Sequence, residues 1–140
     1  MRIPKDENSI MVAVFMPETL CGSFESLFDV WKVKNGHQKQ EVLLLEVMKA
    51  GLNYFELLKN SDKPPIIITF TTKDRDKSVQ KNFYADKEMK DSILLAKSYY
   101  QDSSVRKMTQ RDTVTQLCAL GTAYMKEMNK KEELKNSPKS

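Results

Sequence analysis

Residues able to make or break covalent bonds are scarce in this chain of 140 residues. His37 is the one histidine, there is no Gly-rich phosphate loop, and Cys21 and Cys118 lie within apolar helical patterns, away from any metal-ligand spacing. Asp74 and Asp76 stand among Lys73, Arg75 and Lys77 and read as solvated surface, not as an acid–base pair. These residues point away from an enzyme, a cofactor or a metal and towards non-covalent recognition. The side chains suited to that gather where two helices begin. His37, Gln38 and Lys39 precede one long apolar stripe; Arg106, Lys107, Thr109, Gln110 and Arg111 surround the start of another. A helix N-terminus offers free N–H groups and the positive end of a dipole, so these residues are candidate phosphate contacts. Ordinary capping, for which Thr109 needs no ligand, is the competing reading.

Charge suits an anionic partner met mainly through the second half of the chain and equally suits a solvated lysine-rich surface. The net charge is +4, and residues 1–60 hold 7 Lys or Arg against 8 Asp or Glu, leaving 16 against 11 in residues 61–140. Hydrophobic residues at 40% and charged residues at 30% suit a globular chain, long enough for one core without disulfide staples. No apolar run approaches the ~20 residues of a membrane span, and the polar start followed by a short apolar run is unlike a signal peptide. A cytoplasmic protein is the expectation.

The elements that position the candidate residues are written twice. Ser9 to Met16 is a β-branched, apolar run stopped by Pro17, which suits a strand. Leu20, Phe24, Leu27 and Trp31 then mark one face of a helix closed by Asn35-Gly36. A second helix follows from about Gln38 to Lys59. Its stripe of Leu44, Val47, Met48, Gly51, Phe55 and Leu58 returns seventy positions later as Val114, Leu117, Cys118, Gly121, Met125 and Met128. The first helix returns as Met89, Ile93, Ala96 and Tyr100, sixty-nine positions on, with Asp86 as its N-cap. Thr109 and Asp112 have capping-box spacing at the start of the last helix. Two independent matches at nearly one offset indicate an internal duplication. Residues 1–62 form the first copy, 63–128 the second, and 129–140 a disordered basic tail.

The second strand has two placements. β-propensity favours 66–72 (IIITFTT), whereas strict repeat spacing favours 79–85 (VQKNFYA). Propensity is the stronger local signal, and the spacing keeps the other open.

Strand, helix, Asn-Gly turn and helix, carried by VAVFMP at 12–17, Asn35-Gly36 and QEVLLLEVMKAG at 40–51, resembles the ribbon-helix-helix family of the Arc and MetJ type. The doubled arrangement is similar to single-chain, two-repeat members that act as accessory proteins in conjugative or border DNA processing. The resemblance implies a mainly α fold with a small two-stranded antiparallel ribbon, a tandem ribbon-helix-helix pseudo-dimer sharing one core. A copy of about sixty residues cannot bury both sheet and helix faces alone, which is a physical reason for the fusion.

By the same resemblance, the ribbon enters the major groove of double-stranded DNA and the second-helix N-termini hold phosphates. Val12, Val14 and Met16 then face the core, while Met11, Ala13 and Phe15 face outward, an apolar departure from the family pattern. On the second strand the base-facing candidates are Thr69, Thr71 and Lys73 in one placement, and Gln80, Asn82 and Tyr84 in the other. Gln and Asn can bond adenine, and Thr can touch a thymine methyl. The implied role is an accessory, relaxosome-type or regulatory factor of a plasmid or mobile element, partnering DNA and a relaxase or other DNA-processing protein, as a monomeric pseudo-dimer or a higher oligomer on DNA. The second reading is a protein–protein interaction module, antitoxin-like or adaptor, that uses the apolar ribbon face.

Overall fold

The computed structural model describes residues 9–36, 38–63, 66–103 and 108–136, the last four of these and residue 103 by backbone alone. The chain runs β1 (Ile10–Met16), α1 (Glu18–Asn35), α2 (Gln40–Asn60), α3 (Thr72–Asp76), β2 (Val79–Ala85), α4 (Lys87–Ser103) and α5 (Gln110–Asn136). The fold is mainly helical with one two-stranded antiparallel sheet, as the sequence led us to expect. No helix among the described residues is long and apolar enough to cross a membrane.

Alternation along β1 sets its two faces. Val12, Val14 and Met16 are buried, and Met11, Ala13 and Phe15 lie on the other face, as read from the sequence. The partner strand corrects the propensity-based placement, because β2 spans Val79–Ala85 and not 66–72. Ile10 pairs with Ala85, Ala13 with Asn82 and Met16 with Val79. Strict repeat spacing therefore outweighs the β-branched run.

Residues 66–71 instead form an extended strap along α5. The Gln116 side-chain amide accepts from Ile68 N–H at 2.7 Å and donates to Ile68 C=O at 2.7 Å, supplying the two bonds a neighbouring strand would give. Ile68 and Phe70 pack against the core while Thr69 stays exposed, so the run's two-residue alternation is used against a helix. The strap also explains why α5 is buried all round from 113 to 122, with Thr113, Thr115, Gln116 and Thr122 inside.

The helix stripes hold except towards their C-terminal ends, where Trp31, Leu58 and Met125 are half-buried and Met128 is exposed. Leu20, Phe24 and Leu27 of α1, and Met89, Ile93, Ala96 and Tyr100 of α4, are buried around α2 and α5. The two long helices make the most extensive contact in the molecule. They cross where Gly51 faces Leu117 C=O and Gly121 faces Val47 C=O, and a Cβ on either glycine would overlap the opposing carbonyl. Both thiols belong to the core. Burial pushes the Cys118 thiol up to about 12, and burial first, then the hydrogen bond to Glu25, raises that of Cys21. Neither is an activated nucleophile.

Helix starts are capped by three different means. Asp86 Oδ1 accepts from Met89 N–H at 2.8 Å, and Thr109 and Asp112 exchange reciprocal bonds of 3.0 and 3.2 Å. Pro17 has no side chain able to cap α1. Asp74 of α3 does so from 55 residues away, its carboxylate accepting from both Thr19 N–H and the Thr19 hydroxyl. The C-terminal expectation is corrected too. Residues 129–136 continue α5 and do not form an unstructured tail, because their Lys and Glu residues favour helix and Lys34 pairs with Glu132 at 3.6 Å. Residues 137–140 lie outside the described residues.

Candidate functional site

The ribbon face turned away from the core carries Met11, Ala13 and Phe15 from β1 and Gln80, Asn82 and Tyr84 from β2. Across the strands Met11 faces Tyr84, Ala13 faces Asn82 and Phe15 faces Gln80. Met11 is 56% exposed, and Gln80 and Asn82 are exposed as well. Gln80 Nε2 donates to Asn82 Oδ1 at 3.1 Å, which fixes both amide orientations and leaves Gln80 Oε1 and the Asn82 NH₂ turned to solvent. Three of the six sequence candidates for a base-facing strand are thus brought onto one surface.

The other three are not. Thr69 lies on the strap, Thr71 caps α3 by accepting from Asp74 N–H at 3.1 Å, and Lys73 is exposed on α3. Their assignment to the ribbon is overturned with the strand placement it relied on.

The two helix starts that flank the ribbon differ. At α2, Lys39 is the N-cap residue in extended conformation without a side-chain cap bond, and its C=O accepts from Val42 N–H at 3.1 Å. Gln38 bends back to donate to Asn35 C=O at 2.9 Å and is occupied in ending α1. At α5 the capping box already uses the N–H groups of Thr109 and Asp112 and places a carboxylate there. Gln110 is half-buried, and Arg111 turns to the ribbon, its guanidinium carbon 3.7 Å from the centroid of the Phe15 ring. His37, Arg106 and Lys107 lie outside the described residues.

Comparison with protein-family models, with curated proteins and with solved structures returns no match for this chain. Its functional reading rests on its own residues.

Two residues that bear on the site escaped the sequence reading. Lys81 sits at a core-facing strand position, donates to Gln40 Oε1 at 2.7 Å beside the start of α2, and places its ammonium 5.9 Å from the Phe24 ring. Alternation predicts an apolar residue there, so no local signal distinguished it. Arg75 of α3 lines a hollow of about 620 Å³ between Phe15, the strap and the first turn of α5. Its place depends on α3, whose five residues look in the sequence like a charged loop. At the opposite ribbon end, a hollow of about 500 Å³ beside Tyr84 is lined by Lys49 and by the acids Glu56, Asp86 and Glu88. The Phe15 hollow balances Arg75 and Arg111 against Asp76 and Asp112, so it is less acidic than the hollow at the Tyr84 end.

Proposed function

We propose that the chain is a duplex-DNA-binding protein of the ribbon-helix-helix type, a pseudo-dimer made from one polypeptide. The observation that carries this reading is an antiparallel ribbon whose outer face presents the exposed amides Gln80 and Asn82. A major groove admits such a ribbon, and amide side chains match the donor–acceptor pattern of adenine. The pseudo-dimer is supported by the pairing arithmetic. Moving β1, residues 10–16, sixty-nine places gives 79–85, the full extent of β2. The Gly51–Leu117 and Gly121–Val47 contacts exchange in the same way under a shift of seventy. Lys39, at the start of α2, would hold a phosphate, a contact that positions the protein without specifying sequence. An accessory or regulatory role on a mobile element, beside a relaxase or other DNA-processing protein, completes the proposal.

Titration of the protein into labelled duplexes selected from a random pool tests it. Affinity should fall linearly in log–log form as salt rises, with a slope set by the phosphates engaged. No retention of any duplex at low salt would reject the reading.

One feature favours protein docking as a second reading: Ile10, Met11 and Val79 are 37%, 56% and 43% exposed near the ribbon ends. Met11→Lys separates the two, since it should abolish an apolar interface and leave or strengthen DNA affinity.

A further inference from the structure

The outward side chains of the ribbon are two aromatics, a methionine, an alanine and two amides, with no cation among them. Guanine, whose major-groove edge offers only the O6 and N7 acceptors, is best met by an arginine fork. Such a fork reaches this surface from outside the ribbon.

Arg111 belongs to the first turn of α5, and its guanidinium lies over the Phe15 ring at 3.7 Å. Stacking of this kind uses one face of the planar group and leaves its in-plane N–H donors free. Among the described residues the Arg111 side chain makes no hydrogen bond and no ion pair. The platform beneath it is fixed. The Thr115 hydroxyl lies 3.0 Å from Arg111 C=O and 3.1 Å from Phe15 C=O, sharing its one proton between them and tying the first turn of α5 to the end of β1. Gln80 stands directly across the ribbon from Phe15, so fork and amide occupy one corner.

We infer that Arg111, laid on Phe15 beside Gln80, is a specificity-determining residue that reads the O6/N7 edge of a guanine at one end of the bound site. This rests on the DNA-binding reading. A base is favoured over a phosphate because the guanidinium is carried on an outward-facing strand side chain, at the level of the reading surface. Stacking before binding also removes much of the entropy cost of immobilising a long side chain.

The opposite corner lacks the device. The counterpart of Phe15 is Tyr84, facing Met11, and the counterpart of Arg111 is Glu41. The adjoining hollow is lined by Glu56, Asp86 and Glu88. Guanine reading is therefore one-ended, and the preferred duplex lacks a twofold axis.

The experiment is a scan of a selected duplex in which each guanine in turn is replaced by 7-deazaguanine, which keeps O6 but has no N7 acceptor. With the wild-type protein, one position in one half of the site should lose roughly five- to a hundredfold in affinity. Arg111→Ala should bind the parent duplex more weakly and show no further loss at that position. Phe15→Leu, which keeps the cation and removes the platform, should shrink the same penalty, with urea midpoints confirming that both variants are folded. If wild type binds DNA and the 7-deazaguanine profile is unchanged in Arg111→Ala, the base assignment is overturned and Arg111 is at most a phosphate contact. If wild type binds no duplex at all, the DNA-binding reading itself has failed.

Discussion

Gly51 and Gly121 face each other at the crossing of α2 and α5, and each leaves room for a backbone carbonyl of the opposite helix, Leu117 for the first and Val47 for the second. In an exposed helix, glycine to alanine is worth up to about 1 kcal/mol of added stability. Here the sign should reverse. The added methyl meets backbone that cannot rotate away, so Gly51→Ala and Gly121→Ala should each lose about 3 kcal/mol or more, at the upper end of overpacking penalties. Urea unfolding measures this, and a stabilised variant would mean that the helices are farther apart.

Asp74→Ala should cost about 1 to 2 kcal/mol, the usual worth of an N-cap, and speed exchange of the Thr19 amide hydrogen. A second change makes the expectation specific. Pro17 stands sixty-nine positions before Asp86, the residue that caps α4. Adding Pro17→Asp to Asp74→Ala should restore part of the loss, since an aspartate there can reach Leu20 N–H as Asp86 reaches that of Met89. Complete lack of rescue would contradict the equivalence of the two helix starts.

Gln116→Leu keeps the volume of the side chain and removes both bonds to Ile68. A destabilisation of about 1 to 3 kcal/mol is expected from the unpaired backbone groups. The Ile68 amide should exchange faster, and proteolysis should begin within 66–71. Unchanged protection at Ile68 would show that apolar packing alone retains the strap.

Alkaline conditions should destabilise the fold through Cys118. The folded thiol is held up at about 12 by burial, against an ordinary value of 9.0. Above pH 9 the unfolded chain releases this proton while the folded chain keeps it, so the unfolded state binds fewer protons and stability falls with rising pH. The contribution is whole below pH 9 and is lost as pH climbs towards 12. Tyr100, raised in the same direction by burial, adds to the decline from its ordinary value of 10.0 upward. Denaturant titrations from pH 8 to 11 should show a slope approaching one proton from the thiol, absent in Cys118→Ala.

The helical stripes short of Met128, which is exposed, the caps at Asp86 and Thr109, and the inward set Val12, Val14 and Met16 were legible in the sequence because local periodicity and burial coincide there. The strap was misread because its alternation is real and the surface it meets is a helix; propensity reports a wish for a partner without naming the partner. Lys81 and Arg75 were illegible for another reason. Their positions depend on contacts with Gln40, Phe24 and the turns of α3, which no window of neighbouring residues contains. In the candidate site, Gln80, Asn82 and Tyr84 came from spacing, whereas the stacking of Arg111 on Phe15, ninety-six positions apart, could not.

The cap that Asp74 places on Thr19 reaches from the second half of the chain into the first. A gene cut between the halves would yield a first piece with an uncapped helix at its start and a second piece with a carboxylate serving nothing. Mixing the pieces should therefore succeed where either alone fails.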